Sequence, residues 1–108
     1  MLNLTPHAIT VRAPDGTDHT FPPSGRVARV ATTEAQVGAC NITGAPIVRR
    51  TLGEPQGLPE EGTPCLVSAM VASACPGRLG VYAPDSGPTA IRDDKYDWVV
   101  AVTRLVAA

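Results

Sequence analysis

A chain of 108 residues has about the size of one domain, and we expect residues 1–108 to fold as a single domain. The formal net charge is −1 and the basic residues are scattered, which disfavours duplex nucleic acid because that partner requires several phosphate contacts. No apolar run is long enough to span a membrane, and the N-terminus has no signal-peptide pattern. We therefore expect a cytoplasmic protein without a membrane partner.

Eleven prolines and ten glycines predict many turns and short elements rather than long helices. The apolar residues are mostly alanine and valine, so the predicted core consists of small side chains. Three cysteines without C-x-x-C spacing, far in sequence from both histidines, indicate free thiols rather than a zinc site. We predict neither a bound metal nor a cofactor.

Alternation of apolar and polar residues predicts a series of short strands. Asp15-Gly16 is typical of a tight hairpin turn between the first two of them. Between the third and fourth strands, residues 34–37 are suited to one helical turn that Gly38 would end. Residues 53–63 contain two prolines and three glycines and are predicted to be a flexible loop. The predicted strands are 7–13, 18–21, 26–32, 45–52, 79–83, 89–92 and 98–106.

Residues 64–75 are the most apolar segment and allow two interpretations. A short strand can turn into a two-turn helix near Ser68, or Thr63 and Pro64 can begin a single helix. The last predicted strand, 98–106, is apolar on both faces, which is typical of a central position in a sheet. The predicted fold class is therefore β-rich α+β, either a bent antiparallel sheet or a small barrel, with one short helix near residues 68–75.

The richest candidate site is the turn between the strands at 79–83 and 89–92. Asp85 and Ser86 offer acceptors and a hydroxyl, and Gly87 permits close approach of a ligand to the backbone. Arg78 and Arg92 flank this turn, and guanidinium groups bind phosphates and carboxylates through paired hydrogen bonds. The alternative for both arginines is a surface ion pair with Asp85 or a neighbouring aspartate.

Two further residues complete the predicted ligand site. His7 follows Pro6 at the start of a strand, where it could contact a phosphate or act as a turn residue bonded to a carbonyl. Ser68 stands where a strand turns into a helix, a place suited to an anion contact or a helix cap. No histidine and acid are spaced to activate Ser68, so we predict no catalytic residue.

Three stretches of this chain resemble a family of small, uncharacterised proteins of bacteriophages and prophages. They are Asn3-Leu4-Thr5-Pro6-His7-Ala8-Ile9, the segment from Leu66 to Ala72, and Ala83 to Pro88 followed by Ala90 to Asp93. Residues 94–97 depart from the acid-glycine turn that relatives tend to have there. The resemblance implies a phage-related accessory protein in the host cytoplasm and carries no activity with it.

These observations favour a non-catalytic protein that binds a small polar or anionic ligand. By analogy with phage accessory proteins, a nucleotide-like signal of host defence is the ligand class we expect. The alternative is a protein-interaction or structural module whose exposed strands pair with a partner or with another copy in a homo-oligomer. A hydrolase ranks below both, because no catalytic constellation is visible.

Overall fold

The computed structural model describes residues 1–108, which form ten strands and one helix. None of its helical structure is long and apolar enough to cross a membrane. In chain order the elements are β1 (Leu2–Asn3), β2 (Ile9–Arg12), β3 (Asp18–Phe21), β4 (Arg29–Ala39), β5 (Pro46–Gln56), β6 (Cys65–Leu66), α1 (Ala69–Ala74), β7 (Val81–Pro84), β8 (Ile91–Arg92), β9 (Val99–Ala101) and β10 (Leu105–Ala107).

The centre of the molecule is a four-stranded sheet with the order β1-β6-β7-β10. The pairs β1–β6 and β6–β7 are parallel, and only β7–β10 is antiparallel. Between β6 and β7 the chain passes through α1, which returns it so that β7 runs in the same direction as β6. Of the two interpretations of residues 64–75, the structure shows the strand that turns into a short helix.

The core lies between α1 and this sheet. It is built from small aliphatic side chains and a buried thiol, and the helix contributes Val71 and Ala72 to it. Only 13 of the 108 residues are buried, so most of the chain lies outside this core. The core residues are Leu4, Ala28, Cys65, Val67, Val71, Ala72, Val81 and Ala83.

The β-rich α+β class is confirmed, but the expected single antiparallel sheet or barrel is not what forms. The strands divide into four separate sheets, three of which have two strands each. Parallel pairing in the largest sheet follows from the helical crossover, and two-stranded hairpins occupy the rest of the chain. No sheet closes on itself.

A β2–β3 hairpin and a β8–β9 hairpin flank the central sheet. The Asp15-Gly16 turn forms as predicted: the Gly16 amide donates to Ala13 O at 2.9 Å and Gly16 adopts a φ of 89°. The two hairpins meet at a bridge in which the Arg12 amide donates to Val102 O at 2.8 Å.

Strands β4 and β5 form a long hairpin that leaves the body of the protein. From Ala31 to Thr51 every residue except the half-buried Cys40 is exposed, and we call residues 31–51 the arm. A compact chain of this length has a radius of gyration of about 13 Å, whereas this molecule has 16.7 Å and a longest dimension of 52 Å. The arm therefore projects into solvent.

Two sequence predictions fail along this hairpin. The proposed helical turn at Glu34–Val37 is strand, because the segment pairs along its length with β5 and the Arg50 guanidinium bonds Glu34 at 2.8 Å. The proposed loop at 53–63 begins only after Gln56, since Arg29 pairs with Gln56 and Val30 with Pro55. Pro55 is tolerated in β5 because a two-stranded hairpin has only edge strands and its outer side needs no amide donor.

The predicted strand 98–106 is two strands rather than one central strand. β9 pairs with β8, while β10 forms the outer strand of the central sheet. A bend at Thr103 and Arg104 separates them, and it is held by the Thr103 hydroxyl donating to Thr89 O at 2.9 Å. The apolar residues of this segment are therefore not uniformly buried: Ala101 and Val102 are buried, whereas Val100 and Val106 are exposed.

Candidate functional site

The N-terminal motif is held by the side chain of Asn3. This residue is buried, and its Nδ2 donates to His7 O at 2.8 Å and to Phe21 O at 2.9 Å. Its Oδ1 accepts from the Thr5 amide at 3.0 Å and from the Thr5 hydroxyl at 2.7 Å. All the polar atoms of the Asn3 amide group are thus used: one bond ties β1 to the end of β3, and the others hold the turn from Thr5 to His7.

His7 contributes its backbone to this arrangement. Its carbonyl also accepts from the Thr5 hydroxyl at 3.0 Å, while the residue itself is exposed and its imidazole makes no hydrogen bond within the chain. Sequence reasoning selected His7 and passed over Asn3 and Thr5. The spacing Asn-x-Thr before a proline was the available signal, since such short polar side chains bond nearby backbone groups.

Ser68 is the N-cap of α1. It has extended backbone angles, φ −66° and ψ 157°, and its hydroxyl accepts from the Val71 amide at 3.3 Å. An N-cap of this kind satisfies one of the free amides of the first helical turn. The residue also lines a shallow groove of about 280 Å³ with Thr5, Pro6 and Met70.

Arg78 lies away from the 84–92 corner. Its Nη2 donates to Pro59 O at 2.8 Å, which ties the turn after α1 to the loop that follows β5. It lines a cleft of about 450 Å³ with Glu54, Gln56 and Cys75. The carboxylate of Glu54 in the same lining does not favour an anionic ligand there.

The corner at residues 85–92 is braced by internal polar contacts. Asp85 accepts from the Gly87 amide at 3.0 Å and forms an ion pair with Arg104. The guanidinium of Arg92 donates to Ser86 O at 3.0 Å and to Asp97 O at 2.9 Å. The groups predicted to meet a ligand therefore bind the backbone of neighbouring turns.

The Asp85 carboxylate is the most strongly held group of this corner. The Arg104 guanidinium, followed by the Gly87 amide, holds the pKa of Asp85 below its usual range. Its side chain is only 16% exposed, compared with 63% for its arginine partner. Asp85 is therefore an anion at neutral pH, and Arg104 is the more exposed half of the pair.

The predicted ligand residues fall into separate surroundings. Asp85, Ser86 and Gly87 line one cleft of about 390 Å³ with residues of α1 and the C-terminal strand. Ser68 and Arg78 line two other clefts, and His7 and Arg92 line none of the four that the surface contains. The structure brings Asp85, Ser86, Gly87 and Arg92 together and leaves the other three apart.

The arm is the candidate site that sequence reasoning missed. Ile47 and Val48 are consecutive strand residues and so point to opposite faces of the hairpin, yet each is 48% exposed. Neither face is therefore covered by the body of the protein. Near the tip, Ile42 is 89% exposed and Val37 is 53% exposed.

Cys40 ends the first strand of the arm. Hydrogen bonding to Thr43, first from its side chain and then from its backbone, lowers the pKa of the Cys40 thiol to about 7. Burial instead raises the pKa of Cys65 in the core. The three cysteines are free.

No three His, Cys, Asp or Glu side chains gather where they could hold one metal ion. No protein-family model, curated protein or solved structure matches the chain. Functional inference therefore starts from the arm and from the clefts of this molecule alone.

Proposed function

We propose that this is a phage-related accessory protein that works as a self-associating interaction module, with the arm as its contact surface. The observation that supports this is a two-stranded hairpin with both faces and both outer edges open to solvent. An isolated two-stranded hairpin is only marginally stable in water. An arm of this length gains stability when another chain covers it.

A second copy of the chain suits this surface better than an oppositely charged partner. The arm has a net charge of only +1, since Glu34 pairs with Arg50 and Arg49 is its single unpaired charge. Its large exposed apolar residues, Val37, Ile42, Ile47 and Val48, are all β-branched, and such side chains pack well on a pleated surface. In an isologous contact, two arms meet across a twofold axis, and each arm covers exposed apolar residues of the other.

The arm alone does not supply a large interface. Its strands of about ten residues span roughly 30 Å, and one face of two strands is roughly 10 Å wide, or about 300 Å². Two such faces give about 600 Å², below the roughly 1,200 Å² typical of a stable interface. Each arm therefore also contacts the body of the other copy, beside the groove lined by Pro6, Val30 and Met70.

Sedimentation velocity over a range of concentrations tests the proposal. We expect wild-type protein to form a reversible oligomer, and Val48→Glu or Ile47→Glu to weaken its association at least tenfold, because an unpaired charge is costly to bury. The two variants probe opposite faces of the arm. Leu79→Glu, at an exposed apolar residue of the body, is the matched control and should associate like wild type.

A monomer at every concentration would contradict the proposal. So would an oligomer that both arm variants leave intact, because the contact would then lie elsewhere on the molecule.

The second candidate function is binding of a small polar ligand beside Asp85, Ser86 and Gly87. The observation in its favour is that three of the predicted residues line one cleft of about 390 Å³, within the usual range for small-molecule sites.

Ligands that bind the folded state raise the melting temperature. We expect a rise with nucleotides or related signals in wild type and a smaller rise in Ser86→Ala; no rise across that panel would exclude this ligand class.

A further inference from the structure

An exposed pair of aromatic rings stands at the tip of the β8–β9 hairpin, away from the arm. The rings of Tyr96 and Trp98 stack with their centres 4.7 Å apart and their planes 18° from parallel. Tyr96 is 58% exposed and Trp98 is 57% exposed, although large aromatic side chains usually bury most of their surface. Trp98 is the only tryptophan of the chain.

The hairpin tip is built to hold this pair in place. Asp93 Oδ1 accepts from the amides of Lys95 and Tyr96 at 2.9 Å each, and the Asp93 amide donates to Trp98 O at 2.8 Å. Asp97 adopts a φ of 59°, and Arg92 donates to its carbonyl at 2.9 Å. A fixed aromatic pair loses little conformational entropy when a partner binds.

The charges around the rings indicate what that partner carries. The ammonium of Lys95 lies 5.1 Å from the centre of the Tyr96 ring, so the pair already attracts a cation within the chain. The carboxylates of Asp94 and Asp97 have no hydrogen-bond or ion-pair partner, and both residues are exposed. Residues 93–98 carry three carboxylates and one ammonium, a net charge of −2, which favours a cationic group over a phosphate beside the open tryptophan.

We propose that Tyr96 and Trp98 form a docking site for an arginine side chain of a partner protein. A guanidinium stacks flat on the open part of the Trp98 ring while its N–H groups donate to Asp94 and Asp97. Arginine fits better than lysine, because its planar group stacks and donates in several directions whereas an ammonium is compact and strongly hydrated. The site is separate from the arm and does not depend on self-association.

Fluorescence of the single tryptophan reports occupancy of this site in the full-length protein. Titration with a blocked arginine-rich peptide should change Trp98 emission saturably. The lysine-rich peptide of equal charge should bind at least threefold more weakly, and adenosine monophosphate should cause no saturable change.

Two variants of the hairpin tip and one distant control distinguish binding at this site from nonspecific attraction between charges. Asp94→Asn with Asp97→Asn keeps the turn, since asparagine tolerates positive φ, and should weaken binding of the arginine peptide at least threefold. Tyr96→Ala keeps the fluorescent Trp98 and removes the ring that stacks on it. This variant should also weaken binding of the arginine peptide at least threefold. Glu60→Gln with Glu61→Gln removes two carboxylates from a distant loop and should leave binding unchanged.

Equal affinity for the arginine and lysine peptides would overturn the proposal. It would also be overturned if the nucleotide bound more tightly than the arginine peptide, or if the distant and local charge variants had equal effects.

Discussion

At the scale of single residues, Asn3 is a buried polar side chain that makes four hydrogen bonds. Its amide group bonds the carbonyls of His7 and Phe21 and the amide and hydroxyl of Thr5. A buried polar group that loses its partner destabilises a protein by about 1–3 kcal/mol. The N-terminal motif is therefore a structural clamp whose central residue is the asparagine rather than the histidine.

Replacement of Asn3 tests whether its side chain holds the N-terminal motif together. We expect Asn3→Ala to lower the free energy of unfolding in urea by about 3 kcal/mol, because several buried groups lose partners together. His7→Ala should change it by less than about 0.5 kcal/mol, since only the His7 carbonyl is used. Equal losses in the two variants would show that the imidazole has a structural role that these contacts do not explain.

Asp85 gives the fold an acid dependence of known sign. Because the ion pair lowers its pKa in the folded state, the carboxylate stabilises the fold above the unfolded-state value of about 3.9 and ceases to do so as the pH falls through the lower folded-state value. The stability difference between wild type and Asp85→Asn should therefore shrink as the pH falls from about 5 through the lowered folded-state pKa. Urea unfolding of both proteins at several pH values measures this stability difference. A difference that stays constant with pH would contradict the ion pair between Asp85 and Arg104.

At the scale of elements, the arm places a thiol with a lowered pKa, that of Cys40, at the end of a strand. The rate at which iodoacetamide modifies Cys40 in dilute protein should rise with a midpoint near pH 7, while the buried Cys65 should not react in the native state. Peptide mapping by mass spectrometry separates the sites. Thr43→Val removes the first hydrogen bond and should move the midpoint to higher pH; an unchanged midpoint would show that Thr43 does not control the thiol.

Local patterns predicted the short elements well and the long hairpin poorly. The strand at 18–21, the Asp-Gly turn and the helix after Ser68 each depend on a few neighbouring residues. Glu34–Val37 resembled a helical turn because its partner, Arg50, lies 16 residues away in the chain. The segment 98–106 looked continuous because the contacts that bend it come from Asp85 and Thr89.

The candidate ligand site was likewise predictable only where it depends on residues that are neighbours in sequence. The Asp85–Gly87 cluster was predictable because its residues are adjacent in sequence. Its separation from Arg78 and Ser68 was not, since this depends on how α1 and the loop after β5 pack. An exposed surface such as the arm leaves no local mark, because alternating threonine, alanine and valine fit a covered strand equally well.

At the scale of the whole molecule, the core is too small for the body to cover the arm. A body with 13 buried residues leaves the 21-residue arm uncovered. Under the proposed self-association, contact with another copy stabilises the arm. Association and folding of the arm are then coupled, and the apparent stability of the arm depends on protein concentration.

Hydrogen exchange of the arm amides at low and high protein concentration measures this coupling most directly. We predict that the outward-facing amides of residues 31–51 exchange fast in dilute protein and slow markedly as the concentration rises, while the amides of the central sheet stay protected throughout. Arm amides that exchange at one rate at every concentration, alongside a protected central sheet, would contradict self-association through the arm.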